Sequence, residues 1–373
     1  MRQLPQSAVM PSKVEPPARP RPPASSLARE LCLVYLLLII YATLHPITSW
    51  RVQNTSPWEW MEHWPKVALP FDFAFNVVAY VPLGLLLVWA LYHRLRAGAA
   101  LLAATASGAI LSLLLESLQT YLPSRTSSLA DLAANAGGAL VGAILGALLA
   151  GPLLGRGRLR QLSADWVVPD RGASRALILT GLWLFALLFP ESILFGHGNA
   201  IAYVGGPISG YPFTPAEFVR VETAVTAASL FAVGAVLLSA LGPAAPRPLA
   251  LLLLVLAACT LRALSQTILF GPEYAWAWLT PGAQRGLIAG AVALLVTLPL
   301  TRPMRLALVI IAVTFATVVV NIAPANPYYV STVQELNPGR FLNFNGLTQL
   351  VSAAWPFLAL LYSVVVLAEG GRR

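Results

Sequence analysis

Polar and apolar positions along this chain alternate on one dominant scale. Long apolar runs are separated by short polar or basic segments. Ten such runs read as helices, over about residues 28–44, 72–91, 97–121, 129–154, 174–193, 215–241, 249–270, 282–300, 305–322 and 347–368. About 20 apolar residues at 1.5 Å rise each are enough to cross the hydrocarbon core of a bilayer. The pattern therefore predicts an all-α fold, a polytopic transmembrane helix bundle of about ten helices.

The segments between the runs set the organisation. Residues 1–27 hold Pro5, Pro11, Pro16, Pro17, Pro20, Pro22 and Pro23 and no periodic apolar pattern, which reads as a disordered tail. The first run ends in YATLHP with no small-residue cleavage site, so it is expected to stay in place as an uncleaved helix. The connection 46–71 carries Trp50, Trp58, Trp60 and Trp64, as an interfacial segment would. The expected units are the tail 1–27, four helices in 28–155, a basic loop 156–173, four helices in 174–303, and two more in 304–373.

The two four-helix units read as a degenerate duplication. YATLHP at 41–46 is similar to FALLFP at 185–190, and the layout from Asn76 is similar to that from Thr226. SLQTYLP from Ser117 is similar to ALSQTILFGP from Ala263, which pairs Gln119 with Gln266 and sets Glu116 opposite Ala263. An even number of helices per unit makes the repeat parallel. Gly137, Gly138, Gly142 and Gly146 of the fourth helix fit close helix packing.

Composition agrees with a membrane protein: 57% of residues are hydrophobic and 10% charged, against roughly 25% charged in soluble domains. The net charge of +9 does not point to nucleic acid, because the basic residues lie in alternate loops. One side holds most of them, including Arg156, Arg158, Arg160, Arg171 and Arg175. The other holds only Arg51, Lys66, Arg125, Arg340 and Arg285. Both termini are then expected in the cytoplasm. Cys32 and Cys259 sit inside apolar helices and suggest no disulfide.

Candidate chemistry concentrates at 116–135, ESLQTYLPSRTSSLADLAAN. Glu116 and Gln119 are three apart, and Asp131 and Asn135 four apart, so each pair shares a helix face. Arg125 lies in the turn between them, and Asp72 and Asn76 open the second helix. Ionisable groups cost about 2.5–3.5 kcal/mol at mid-helix on insertion scales, so they are expected to face the bundle interior or water. Two readings stand side by side. In one, Asp131 caps a helix and Glu116 pairs with Arg125 to brace the turn. In the other, Asp72, Asn76, Glu116, Gln119, Arg125, Asp131 and Asn135 line an outward-facing site for an anionic or sugar-bearing group, with Arg125 as its anion contact. No metal-ligand spacing, phosphate loop or cofactor motif is present, so no metal and no cofactor is expected. His45, His63, His93 and His197 are scattered and read as loop or interface residues. Arg262 is expected to pair with Glu222, and the loop from Gln334 is expected to cover or complete the site.

These residues resemble the VanZ-like membrane family. The resemblance is carried by Tyr41–Pro46, by Asp72 with NVVAYVPLG from Asn76, by Glu116 to Gln119, and by Pro123, Arg125, Ser128, Asp131, Asn135 and Gly138. It covers about residues 30–155. It implies a multi-helix protein of the bacterial cytoplasmic membrane. The family takes its name from an accessory gene linked to glycopeptide (teicoplanin) resistance, and similar proteins accompany envelope or exported-polysaccharide functions. The expected function is binding of a cell-envelope component, such as a lipid-linked sugar or cell-wall precursor. The alternatives are an enzyme acting on such a lipid with Glu116 or Asp131 as acid or base, and a transporter or flippase.

Overall fold

The computed structural model describes residues 24–47, 50–52, 56–62, 64, 70–92, 94–95, 97–154, 165–200, 214–323 and 342–370. Among the described residues there are ten α-helices and no strand. They are α1 (Ala24–Leu44), α2 (Pro70–Leu91), α3 (Ala97–Gln119), α4 (Leu129–Leu154) and α5 (Arg171–Ala186), then α6 (Pro215–Ala240), α7 (Arg247–Phe270), α8 (Pro281–Val296), α9 (Arg302–Ile322) and α10 (Leu342–Gly370). Eight are long and apolar enough to cross a membrane; α5 and α8 have 16 residues each. Large apolar side chains such as Leu102, Ile110, Leu148, Leu252 and Val296 remain exposed on the bundle's outside. In water such a surface would associate; in hydrocarbon it needs no partner.

Most helix bounds follow the apolar runs, and the departures are local. α1 starts at Ala24, inside the stretch expected to be a tail, whose residues 1–23 lie outside the described residues. α5 stops at Ala186, seven residues short of the expected end. Its last apolar residues continue into an irregular segment that stays inside the protein, with residues 193–198 all buried. The Asp170 carboxylate caps its other end, accepting from Ala173 N at 2.5 Å, and also takes Arg302 Nη1 at 2.6 Å. Thr280 Oγ1 caps α8 in the same manner, accepting from Ala283 N at 3.1 Å. Parts of the connection 46–71 and the whole loop 324–341 lie outside the described residues, as do His63 and His93; Trp50, Trp58 and Trp64 are exposed.

The helices form two groups. α1 to α4 pack together, with α2 and α4 in the most extensive contact. In the rest of the chain α6 is the axis: 72% of its span is buried, against 39% or less for the other spans. α5, α8 and α9 surround it, and α10 packs on α5 and α9, so the last two helices join the same apolar core as the second unit. α1 bridges the groups by touching α5 and α10.

The glycines tie the two groups to one plan. Gly138, Gly142 and Gly146 of α4 lie against the α2 backbone at Val77, Val81 and Leu85, so closely that a Cβ would overlap it. Gly282, Gly286 and Gly290 of α8 also lie close to α6, where a Cβ would meet the Glu222 side chain, the Thr226 side chain with Thr223 O, and Ala227 O with the Leu230 side chain. Each glycine of the second set is 144 residues after its counterpart. Gly137, on the far side of α4, meets nothing within 4 Å. Both groups thus contain a helix pair that approaches closely over glycines, as membrane helix pairs do.

The duplication also extends to hydrogen bonds, with one correction. Gln119 Nε2 donates to Thr43 O at 2.8 Å. In the second unit the equivalent bond comes from Ser265 Oγ to Leu188 O at 2.7 Å, and not from Gln266. That register sets Glu116 opposite Arg262, one residue from the expected Ala263. The slip is natural in sequence, where Gln–Gln is the better match; the hydroxyl reaches the carbonyl from one position earlier.

A candidate binding site at the turn between α3 and α4

The last turn of α3 brings Glu116 and Gln119 onto one face, both buried, at 4% and 8% exposure. They engage different neighbours. Gln119 caps the end of α1 through Thr43 O. The Glu116 carboxylate accepts from Ser128 N at 3.1 Å, and the Ser127 hydroxyl donates to Glu116 O at 2.5 Å. Ser128 immediately precedes α4, and its own hydroxyl accepts from Ala130 N at 3.1 Å. The Glu116 carboxylate therefore lies against the positive end of the α4 dipole and fills one of its free N–H groups.

Arg125 is half-buried in the intervening turn and donates through Nη2 to His45 O, the first carbonyl after α1. Burial pushes its guanidinium down from the usual range, and the charge of Glu116 opposes that. The His45 imidazole is pushed down by burial and by Arg125. Its Nδ1 is 3.1 Å from the Tyr41 hydroxyl. A Cβ on Gly346 of α10 would strike the His45 ring, so α10 reaches this end of α1. The expected covering loop lies outside the described residues up to 341.

The remaining groups join α2, α3 and α4. Asn76 Nδ2 donates to Asp131 Oδ1 at 2.7 Å, and both residues are half-buried. Asp72 is exposed, and its charge acts on Asp131. One turn further along α4, Asn135 Nδ2 donates to Ser112 Oγ at 2.9 Å, while Asn135 Oδ1 has no partner. Tyr80, 3% exposed, stands beside Ser112 and within electrostatic reach of Glu116. Glu116 in turn feels both Asp131 and Arg125.

All seven candidate residues are thus at one end of the front helices, in three sets. Gln119, Arg125 and Glu116 terminate helices. Asp72, Asn76 and Asp131 form an open, acid-rich edge. Asn135 lies behind them. The bracing expectation gave Asp131 the helix cap and Glu116 the pair with Arg125; instead Glu116 accepts from Ser128 N at the start of α4, and Asp131 accepts from Asn76. Arg125 is committed to a carbonyl, which weakens its assignment as an anion contact. Ser112, Ser127 and Tyr80 were not evident in the sequence. The helical spacing of Ser112 and Glu116, four apart, is the signal that would have added Ser112 to the cluster.

In the second unit Arg262 is buried and donates to Phe189 O at 2.7 Å and Glu191 O at 2.5 Å. Glu222 accepts from Thr280 Oγ1 at 2.5 Å. The expected pair between them is replaced by these two separate engagements, because the broken end of α5 offers Arg262 free carbonyls nearby.

Residues 31–150 match the model of the VanZ/LLP1 family. That stretch spans α1 to α4 almost to its end and contains every one of the seven candidate residues. No curated protein and no solved structure matches the chain.

Proposed function

We propose that this VanZ-like membrane protein binds the polar part of a cell-envelope component, a lipid-linked sugar or cell-wall precursor, at the outer end of α2 to α4. The observation that carries this is the open edge formed by Asp72, Asn76 and Asp131. Three carboxylates (Asp72, Glu116 and Asp131) meet one arginine there, and that arginine already holds His45 O. Such a balance disfavours a bare phosphate and favours hydroxyl or ammonium donors, which carboxylates and amides accept from directly. Sugar hydroxyls fit, with a lipid tail lying along the exposed apolar flank. The role is accessory to envelope or polysaccharide processes in a bacterial cytoplasmic membrane, with the termini inside as the distribution of basic residues implies.

The test is lipid-directed mass spectrometry on purified protein. Asp72→Asn and Asp131→Asn keep the side-chain shape and remove the charge. A co-purifying prenyl-linked sugar or precursor, depleted in both variants, is the expected result. Identical lipids in wild type and in both folded variants would overturn the reading.

A second reading, an enzyme on the same lipid, is favoured by one feature. Glu116 and Asp131 are coupled yet unlike in setting, one buried and one half-exposed, and unlike settings are how paired carboxyls divide acid and base roles. Turnover of the bound lipid by wild type, abolished in a folded Glu116→Gln protein, distinguishes it from binding alone.

A further inference from the structure

The second unit holds a polar centre of a different make. After α5 the chain turns inward, with Phe195 at φ 62° and Gly198 at φ 88°. A buried irregular segment must find partners for its backbone, and this one does. Arg262 serves Phe189 O and Glu191 O, Ser265 serves Leu188 O, and Thr226 Oγ1 donates to Leu194 O at 2.9 Å. Gly198 N donates to Ser352 O at 3.0 Å, and Asn321 Nδ2 to Gly198 O at 2.8 Å.

Inside this frame three side chains line up. Ser352 Oγ is 2.6 Å from Glu191 Oε1, and His197 Nδ1 is 2.9 Å from Ser352 Oγ. His197 is 3% exposed and Ser352 1%. Trp183 and Trp355 enclose the imidazole, with ring centroids 5.9 and 6.2 Å away. Among the described residues His197 Nε2 has no hydrogen-bond partner. The hydroxyl lies between the carboxyl and the imidazole. A serine nucleophile would need the imidazole between itself and the acid, so this order is not that of a hydrolase.

Counting hydrogens leaves two complete arrangements. In the first, Glu191 is ionised, Ser352 donates to it, His197 donates from Nδ1, and Nε2 is bare. In the second, Glu191 is protonated and donates to Ser352, Ser352 donates to Nδ1, and Nε2 carries the hydrogen. The second contains one more proton than the first. We propose that Glu191, Ser352 and His197 form a proton relay, with His197 Nε2 as its entry atom and the Glu191 carboxylate as its acceptor. A proton delivered to Nε2 by hydronium, which leaves as water, forms the Nε2–H bond. The Nδ1–H bond breaks toward Ser352 Oγ, and the Ser352 O–H bond breaks toward Glu191. The centre goes from one negative charge to none, and no electrons are exchanged.

The surroundings support this. Among the described residues the charged group facing the centre is Arg262 of α7, which acts on both Glu191 and His197. The other facing polar groups are neutral: Trp183 of α5, Thr226 of α6, Thr317 and Asn321 of α9, and Trp355 of α10. Burial raises the Glu191 carboxyl to about 7 against the pull of Ser352 and Arg262. Burial and then Arg262 lower His197 to about 3. The imidazole therefore stays neutral while the carboxyl changes state near neutrality, as a relay requires.

The test uses the full chain in detergent. Infrared difference spectra against pH follow the carboxylic-acid C=O stretch, and nitrogen-15 NMR of labelled histidine follows the tautomer. Glu191→Gln and His197→Gln assign the two signals. As pH falls through about 7, the acid band should appear and the His197 signal should change from Nδ1–H to Nε2–H without forming imidazolium. In Ser352→Ala the band should still appear while the tautomer no longer follows it. Ser352→Thr, which keeps the hydroxyl, should restore the link. A tautomer that stays fixed while Glu191 protonates, or an imidazolium formed instead, overturns the relay. The wild-type measurement alone decides this where a variant does not fold.

Discussion

Glu191 and His197 should leave opposite marks on stability against pH, and removing one should expose the other. His197 is lowered from 6.5 to about 3. Its contribution is fully present above the unfolded value and is lost as pH falls through the folded one. Glu191 is raised from 4.5 to about 7. Its contribution is fully present below 4.5 and is lost as pH rises through 7. One proton of difference between states changes stability by about 1.4 kcal/mol per pH unit. The histidine is then worth roughly 5 kcal/mol and the carboxyl roughly 3 kcal/mol over their full ranges. Between 4.5 and 6.5 the two slopes oppose each other and cancel. In Glu191→Gln only the histidine slope remains, so stability relative to wild type should rise with pH by about 1.4 kcal/mol per unit across that interval. Other ionisable groups are common to both proteins and drop out of the difference. Thermal unfolding in detergent at a series of pH values, at constant ionic strength, measures it. A flat difference between the two proteins would refute the reasoning, since it would mean that Glu191 takes up no proton on folding.

Three further outcomes follow from the packing and caps. Gly142→Ala should destabilise by about 1–3 kcal/mol through overlap with the α2 backbone, and Gly286→Ala likewise, where the added Cβ lies 2.8 Å from Thr223 O. Gly137→Ala, facing open space, should be neutral or stabilising by up to about 1 kcal/mol; thermal unfolding of the three compares them. Gln119→Ala and Ser265→Ala should lose similar amounts, about 1 kcal/mol each, whereas Arg262→Met should lose roughly 1.5–3 kcal/mol for each of its two carbonyl bonds. Denaturation in sodium dodecyl sulfate, read by far-UV circular dichroism, ranks them. Asp170→Asn should cost less than about 1 kcal/mol because it keeps the α5 cap and loses only a part-exposed ion pair, while Asp170→Ala loses both; high salt should narrow the gap between wild type and Asp170→Asn.

The number of helices was legible because membrane-length apolar runs leave little choice of structure. Where α5 ends was not. Apolar residues continue on both sides of Pro190, Glu191 and Ser192, and hydropathy does not separate a buried helix from a buried turn. The seven site residues were legible as polar positions in an apolar setting, and their collection at one end was foreseeable from helix spacing. Their partners were not, because most are backbone carbonyls or N–H groups, such as Thr43 O, His45 O and Ser128 N. Serine hides for a related reason. Ser363 and Thr180 bond to the carbonyl four residues back and carry no tertiary information. Nothing local separates them from Ser112 or Ser352, which join distant helices. His197 read as a loop residue because its partner lies 155 positions away on α10.

Set side by side, the two units draw their arginines from different elements. In both units the helix that opens the unit ends in a proline-containing turn, and a carbonyl just past its last turn accepts from an arginine. The two carbonyls, His45 O and Phe189 O, are 144 positions apart, the spacing of the glycines. The arginines come from different places. In the second unit Arg262 reaches out from the body of α7. In the first, Arg125 reaches back from the turn after α3, which frees the position equivalent to Arg262 for Glu116. The requirement set by the fold is a guanidinium at the broken helix end. Meeting it from the turn lets the front unit place a buried acid beside Asp131 and the α4 N-terminus. The same requirement met from the helix gives the second unit a fixed positive charge beside Glu191 and His197. The two polar centres thus each set a carboxyl near an arginine, and they differ in which element supplies the arginine.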